Sequence, residues 1–242
     1  MPTKCFNCPL RRKSIFSPMT DDEVAFMSRF KTGELTVDPG TQLLMDGSNS
    51  PQLYTALSGM GVRYKTLLDG RRQVVSFVFP GDLIGMQAGI MGEMKHSVEA
   101  TTAMTLCVFS RSDVWNLFKT HPSRAFDMTW LAAVEENFLG DALATIGQRT
   151  AIERISWAMV KMFRRAEALE MTDGQFMPLP YRQQDLADAL GLSLVHTNKT
   201  LGKLRERQLA SWADRKLHLM DIDALARIAQ IEHEEPEMRP LM

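Results

Sequence analysis

The chain lacks the features that would place it in several large classes of protein. No segment approaches the roughly 18 consecutive apolar residues of a membrane-spanning helix, and the N-terminus has no apolar core typical of a signal peptide. Three cysteines in 242 residues, an odd number, argue against a disulfide scaffold. The net charge is −1, without the excess of basic residues that is typical of a protein that coats DNA nonspecifically. DNA binding would therefore need a local basic surface. We therefore expect a cytoplasmic protein without a membrane partner.

Catalytic motifs are also missing from the sequence. There is no nucleophile elbow and no phosphate-binding loop. A β-roll enzyme of the cupin type needs a cluster of histidine and glutamate ligands for its metal. The region that would hold such a cluster offers one histidine, His96, with Glu93 and Glu99 nearby. We therefore do not expect an enzyme.

Residues 183–204 have the pattern of a helix, a glycine turn and a second helix. The first helix is predicted to bury Leu186 and Ala187, Gly191 supplies a left-handed turn residue, and Ser193 caps the second helix. This arrangement is typical of a helix-turn-helix unit that reads DNA. An ordinary helical hairpin inside a larger core is the alternative.

The second helix, predicted over residues 194–207, keeps a polar and basic face that fits a major groove. Behind it, two short apolar runs flank a polar turn at residues 214–216, which predicts a β-hairpin wing whose tip could reach phosphates. Solvated turn charges are the alternative for the wing tip. The candidate DNA-contacting residues are Gln183, Gln184, Ser193, Leu194, Val195, His196, Asn198, Lys199, Lys203, Arg215 and Lys216.

The first half of the chain predicts an all-β roll. From about Gly33 to Phe109, short apolar runs alternate with turn signals, of which Asp69-Gly70 is the clearest hairpin turn. A long helix follows, and its apolar stripe exceeds what one small roll could cover. We expect the same helix of a second copy to cover this stripe, although packing on the chain's own roll is the alternative. The predicted dimer interface consists of Leu131, Val134, Phe138, Ala142 and Ile146.

The predicted fold class is α+β: an N-terminal β-roll of the cyclic-nucleotide-binding type, a long dimerisation helix and a C-terminal winged helix-turn-helix. We expect the tail from Glu234 onward, rich in Glu and Pro, to be disordered. The predicted domains are an N-terminal segment with a Cys-x-x-Cys motif (1–30), the sensor roll (31–120), the dimerisation helix (121–149), the DNA-binding domain (150–232) and the tail (233–242).

These elements, in this order, resemble the CRP/FNR family of bacterial transcription regulators. The most specific matches are residues 80–85 in the roll, 151–155 at the start of the DNA-binding domain and 190–193 at the helix-turn-helix turn. The resemblance implies a homodimer that binds palindromic promoter DNA, contacts RNA polymerase and responds to a signal through its roll. The alternative function is a regulatory module with a ligand-binding roll that does not bind DNA.

The recognition helix departs from the usual pattern of the family. Where the family has a glutamate and an arginine four residues apart, this chain has Val195 and Lys199. A carboxylate accepts a hydrogen bond from cytosine N4, whereas valine offers only apolar contact, so the usual half-site is not expected. Lys199 is the first candidate for base contact, with His196 and Asn198 as further candidates.

The roll also departs from the cyclic-nucleotide-binding members. In those proteins a glutamate just after the glycine of the roll binds ribose, and an Arg-Ser pair clamps the phosphate. Here Met86 and Gln87 follow Gly85, and the downstream segment offers only Lys95 and Ser97. Because an anionic phosphate needs a dense set of donors, we do not expect cyclic-nucleotide binding.

The cysteines match three of the four positions that hold an iron–sulfur cluster in the oxygen-sensing members. Cys5 and Cys8 have the Cys-x-x-Cys spacing, and Cys107 lies where the roll cysteine belongs, but Ser14 stands near the missing position. The alternatives are a cluster with one non-cysteine ligand, a zinc ion, a thiol switch, or cysteines that are only structural. A haem or an apolar effector in the roll also stays open.

Overall fold

The computed structural model describes residues 2–232 and 236–242, which fall into two compact units. Unit 1 contains the chain up to Arg71, Val75–Glu136 and Met238–Met242, and unit 2 contains Arg72–Val74 and Asn137–Glu237. Each unit buries its own set of apolar side chains. Among the described residues, no helix combines the length and apolar character needed to cross a membrane.

Unit 1 is built on a β-roll. The strands of the roll are β1 (Lys31–Val37), β2 (Gln42–Leu44), β3 (Gln52–Ser58), β4 (Gly61–Thr66), β5 (Arg72–Val78), β6 (Leu83–Ile84), β7 (Ser97–Ala100) and β8 (Met104–Ser110). The first three residues of β5 are grouped with unit 2. In the described part of the chain they form two four-stranded sheets, in the orders β1-β8-β3-β6 and β2-β7-β4-β5. The β1–β8, β3–β8 and β4–β7 ladders are antiparallel.

Alternation along the strands produces the core of the roll. On β8, Met104 and Leu106 are buried and Thr105 between them is partly exposed, as the two-residue period of a strand requires. The predicted turn between β4 and β5 is present, with Gly70 at φ +83°, a conformation that favours glycine. The core also contains Tyr54, Ala56, Val78, Ile84, Met94 and Val98.

Helices pack a second cluster against the roll. The unit 1 helices are α1 (Asp21–Phe30), α2 (Met86–Met91), α3 (Val114–Thr120) and the first half of α4 (Pro122–Gln148). Helix α1 begins with a capping box, in which Thr20 Oγ1 accepts from Glu23 N and Glu23 Oε2 accepts from Thr20 N. The cluster contains Phe26, Phe30, Leu53, Phe109, Leu117, Met128 and Leu131.

Unit 2 begins with the second half of α4 and continues with mixed helices and a small sheet. Its elements are α5 (Ala151–Ala168), β9 (Phe176–Pro178), α6 (Gln183–Leu190), α7 (Leu194–Glu206), β10 (Ala210–Ala213), β11 (Lys216–Leu219) and α8 (Ile222–Ala229). Helix α5 is strongly amphipathic and buries Ile155, Met159 and Phe163 as the core of the unit. The sheet has the order β10-β11-β9.

The tail differs from the expected disorder. Residues 233–235 lie outside the described residues, but residues 238–242 belong to unit 1, where Leu241 and Met242 are buried. A composition rich in Glu and Pro predicts disorder only when a segment has too few apolar side chains to bury. The last two residues supply such side chains and find a place in the roll.

Candidate functional site

Helix α6 is fixed by a buried carboxylate and a buried apolar face. Asp185 is 2% exposed and accepts hydrogen bonds from Arg182 N (2.9 Å) and Arg182 Nη2 (2.8 Å), which closes the first turn of the helix. Leu186 and Ala187 are buried, as predicted. At the other end, Arg154 Nη1 donates to Leu190 O (3.0 Å) and satisfies a carbonyl that the helix leaves open.

The turn between α6 and α7 follows the predicted chemistry. Gly191 has φ +64° and caps α6 through its amide, which donates to Ala187 O. A Cβ at this position would lie 3.4 Å from Ile146 Cγ2, an ordinary contact distance, so the backbone conformation and not the available space favours glycine. Ser193 Oγ then accepts from His196 N (3.2 Å) as the N-cap of α7.

Helix α7 buries one face and presents the other to solvent. Thr197, Thr200 and Leu204 are buried, and Leu201 is partly buried. The exposed face begins at the helix N-terminus, where backbone N–H groups and the helix dipole favour a phosphate. All the predicted contact residues of this helix are exposed: Leu194, Val195, His196, Asn198, Lys199 and Lys203.

The wing is a tight hairpin in the same unit. Strands β10 and β11 pair from Ala210 with Leu219 to Ala213 with Lys216. The two turn residues, Asp214 at φ +49° and Arg215 at φ +60°, both adopt the left-handed conformation of a type I′ turn.

The hairpin backbone is anchored close to its turn, while the side chains of the turn are exposed. Trp212 Nε1 donates to Leu179 O (3.2 Å), and β9 pairs with β11. Arg215 and Lys216 are exposed. Of the two predicted residues that open α6, Gln184 is exposed and Gln183 is half-buried.

The roll does not offer a cyclic phosphate the donors that it needs. Lys95 Nζ is paired with Glu93, and Ser97 Oγ already accepts a hydrogen bond from Asp46 N. A buried cation of the roll is Arg63, which is 5% exposed. The residues present therefore do not fit the phosphate clamp of the cyclic-nucleotide-binding proteins.

Arg63 is held by partners from distant parts of unit 1. Its guanidinium donates to Glu135 Oε1 at 2.8 Å, to Ser76 Oγ at 3.2 Å and to Leu83 O at 2.9 Å. Nearby, burial lowers the pKa of His96 to about 4, and the positive charge of Arg63 acts in the same direction. Local sequence patterns do not indicate this network, because Arg63 and Glu135 are 72 residues apart in the chain.

The three cysteines line one small cavity in the roll. Cys107 lies on β8, opposite Glu34 of β1 and Thr55 of β3, while Cys5 and Cys8 come from the N-terminal segment. All three are free thiols. Burial raises the pKa of the Cys107 thiol to about 11, so at neutral pH this sulfur is the protonated, weakly nucleophilic form.

The donor set of this cavity does not fit an iron–sulfur cluster. Ser14 is exposed and is not among the lining residues, so it does not supply the fourth ligand. Within residues 2–232 and 236–242, no group of three or more His, Cys, Asp or Glu side chains is arranged to hold a metal ion. The same finding applies to His96 with Glu93 and Glu99.

Part of the predicted dimer stripe of the long helix α4 packs against other residues of the same chain. Leu131 is buried in the unit 1 cluster, and Phe138 stacks on Trp157 of α5 at a centroid distance of 5.9 Å. Ala142 and Ile146 are half-buried, and Val134 is 37% exposed. The strongly exposed apolar side chains on the second half of the helix are Leu139 (45%) and Leu143 (73%). Helical periodicity indicates an apolar stripe on α4. It does not distinguish the residues of the stripe that pack within the chain from those that face solvent.

Together, the exposed helix α7, its buried partner α6 and the adjoining wing define unit 2 as a winged helix-turn-helix DNA reader. Known protein families match both halves of the chain. The family described as the cyclic nucleotide-binding domain matches residues 34–121, and the Crp-like helix-turn-helix domain matches residues 153–228.

Individual relatives and a solved structure support the same assignment. The nitrogen fixation regulation protein FixK of Rhizobium meliloti is 33% identical over 193 residues, 78% of this chain and 84% of the relative. The protein of the same name from Bradyrhizobium diazoefficiens is 27% identical over 92% of this chain and 93% of its own length. The fold is similar to that of FixK2 from Bradyrhizobium japonicum, with a TM-score of 0.74, 23% identity, and coverage of 84% of this chain and 98% of that one.

The chain therefore belongs to the CRP/FNR family of transcription regulators. The α+β fold with an N-terminal roll, a long helix and a C-terminal helix-turn-helix is confirmed. So is the assignment to regulators and not to enzymes, because the family consists of transcription regulators.

Proposed function

We propose that this regulator acts as a homodimer that reads a palindromic promoter site through α7 and the wing. The observation that carries the proposal is the exposure of the whole predicted contact face of α7, beginning at the helix N-terminus. Lys199 and Lys203 place positive charge on that face, and Arg215 and Lys216 place it on the wing of the same unit. This local charge attracts DNA although the net charge of the chain is −1.

The residues of α7 have different roles in this proposal. Lys199 contacts guanine O6 and N7, while the exposed Val195, 79% accessible, packs against a thymine methyl group. The wing cations and Lys203 bind phosphates, which position the helix without reading sequence. Because the carboxylate typical of the family is replaced by Val195, the preferred half-site differs from the usual one at the base pair that this side chain meets.

The second half of α4 supplies the dimer surface in this proposal. Leu139 and Leu143 lie four residues apart, one turn of the helix, and are exposed in the single chain. A twofold dimer places two copies of α7 for half-sites one turn of DNA apart.

We further propose that the roll passes a redox, oxygen or other signal to the DNA-reading unit, and that the bound dimer contacts RNA polymerase. Three thiols around one cavity support a redox signal. Contact with RNA polymerase rests on membership of the family.

The DNA-reading role is tested by selecting duplexes from a random-sequence library and measuring affinity by fluorescence anisotropy over a range of salt concentrations. We expect a twofold-symmetric site whose affinity falls steeply with salt. Lys199→Ala should cost about 1–3 kcal/mol on the selected site and relax the preference at one base pair. Lys65→Ala, an exposed lysine on the roll, is the matched control and should leave the affinity unchanged.

Three results would contradict parts of this proposal. Failure to select any duplex would remove the DNA-reading role. Full affinity of Lys199→Ala would remove the assigned base contact. A monomeric protein, or a dimer that survives Leu143→Glu in analytical ultracentrifugation, would remove the α4 interface; Leu68→Ser, at an exposed position on the roll, is the control for that measurement.

A further inference from the structure

The last residues of the chain are part of the roll, although they follow α8 in sequence. The backbone of Arg239 pairs with the N-terminal segment: Arg239 N donates to Ile15 O at 2.8 Å, and Ser17 N donates to Arg239 O at 2.9 Å. The guanidinium of Arg239 lies 3.3 Å from Asp82 Oδ1, a carboxylate that is 1% exposed. A backbone bridge and a buried ion pair therefore fix the start of this segment.

The segment ends beside the roll cysteine. Thr55 Oγ1 donates to Met242 O at 2.6 Å, in a buried hydrogen bond that joins positions 187 residues apart. Thr55 is the residue of β3 directly opposite Cys107 of β8. Leu241 and Met242 are 4% and 5% exposed.

The same two side chains form part of the wall around the thiols. Leu241 and Met242 line the cavity that Cys5, Cys8 and Cys107 also line. The space left in that cavity is about 30 Å³, which can hold water but not an organic molecule. The tail thus occupies volume that would otherwise open onto the sulfur of Cys107.

We propose that residues 239–242 form a strap over the thiol cavity of the roll, and that strap docking slows the access of reagents to Cys107, which is half-buried beneath it. The strap is held at its two ends, whereas β3 and β8 lie inside a four-stranded sheet. Met238, just before the strap, is 59% exposed. A segment of this kind opens at a lower free energy than the sheet beneath it.

Modification of Cys107 must in turn affect the docking of the strap. A group attached to Cys107 that is larger than the remaining space competes with Leu241 and Met242 for the same volume. By linkage, the factor by which strap docking disfavours a reversible modification of the thiol at equilibrium equals the factor by which the modified thiol weakens docking. The strap is therefore a built-in means of coupling the chemical state of Cys107 to the end of the chain. This inference holds whether or not the chain reads DNA as proposed.

The test is the rate at which N-ethylmaleimide labels Cys107 in the full chain, followed by peptide mass spectrometry that separates this cysteine from Cys5 and Cys8. In the reaction Sγ adds to one carbon of the maleimide double bond and the other carbon takes up a proton. Leu241→Ala and Arg239→Gln should each raise the rate about tenfold, as a loss of roughly 1.4 kcal/mol of docking energy predicts. Met238→Ala, at the neighbouring exposed position, should label at the wild-type rate.

Hydrogen exchange distinguishes an open strap from an unfolded roll. In both variants the amides of residues 239, 241 and 242 should exchange faster, since Pro240 has no amide hydrogen, while those of β3 and β8 keep their protection. The labelled wild-type protein should show the same pattern. Faster strap exchange without faster labelling would overturn the proposal, and so would loss of protection in β3 and β8, since the strap would then not be separable from the roll.

Discussion

The two units use charged residues in opposite ways. In unit 2, the basic side chains of α7 and the wing are exposed, and they belong to elements that local spacing predicts. In unit 1, the decisive charged groups are buried: Arg63 is 5% and Asp82 1% exposed. Their partners, Glu135 and Arg239, come from remote positions in the chain. The basic side chains of α7 and the wing thus face solvent, whereas Arg63 and Asp82 fix the structure of unit 1.

Because titratable groups of the roll are removed from solvent, we expect acid to destabilise the roll through His96. Burial lowers the pKa of His96 from 6.5 to about 4, so the folded state holds the neutral imidazole while the unfolded chain takes up a proton. The contribution to stability is present above pH 6.5 and is lost as the pH falls from 6.5 toward 4. At 1.36 kcal/mol per pKa unit, the loss reaches up to about 3 kcal/mol.

Urea denaturation of the wild type and His96→Gln between pH 4 and pH 7 measures this loss. The variant should lose less stability across that window than the wild type, while Lys95→Gln, at the adjacent exposed position, should behave as the wild type. Equal acid sensitivity in the wild type and His96→Gln would assign the acid effect to other groups.

Removing the counter-charge of Arg63 should be the next largest effect. Glu135→Ala leaves a guanidinium buried with less compensation, which is far more costly than losing a surface ion pair. We expect a loss of about 2 kcal/mol, at the lower end for a broken buried pair because the Glu135 side chain is 37% exposed and Asp82 remains nearby. The neighbour Glu136 is exposed, so Glu136→Ala should change the free energy of unfolding by less than about 0.5 kcal/mol. Equal effects of the two substitutions on hydrogen exchange in β4 would contradict the assigned role of Glu135.

A local substitution in unit 2 should cost somewhat less. Asp185→Asn keeps the size of the side chain but removes the negative charge that accepts from Arg182 and caps α6. We expect a loss of about 1–2 kcal/mol, the usual size of a lost cap, together with faster hydrogen exchange in α6. Asp188→Asn, on the same helix but half-buried, is the comparison variant. A larger effect of Asp188→Asn would show that the cap at Asp185 is not what stabilises the helix start.

The structure was predicted best from the sequence where the contacts are local. Gly191 and Ser193 lie within one turn of the residues that they bond as caps, and capping rules act at that range. Those rules missed Asp185 as a cap, although an acidic residue at the third helical position is a readable signal. They also missed Arg154, which reaches a carbonyl 36 residues away.

Long-range contacts explain what the sequence could not show in the roll and the tail. Nothing in the composition of the tail indicates that Met242 meets Thr55, 187 residues earlier. The stripe on α4 has the same limit. Its period marks Leu131 and Phe138 as apolar, but whether they face their own unit or a second copy depends on elements that are distant in sequence.

The smallest effect, and the one that separates folding from function most cleanly, is expected at the wing tip. Arg215 has φ +60°, a left-handed conformation that costs a non-glycine residue about 1 kcal/mol, so Arg215→Gly should leave the stability of unit 2 unchanged or raise it by up to that amount. The same substitution removes an exposed cation from the proposed phosphate-binding surface, so the affinity for the selected duplex should fall. The slope of log affinity against log salt concentration should decrease by about 1, because one phosphate contact is lost. Arg215→Lys keeps the charge and should retain binding. A loss of stability in Arg215→Gly would show that the side chain supports the hairpin itself, and unchanged affinity and salt dependence would place the wing tip away from the DNA backbone.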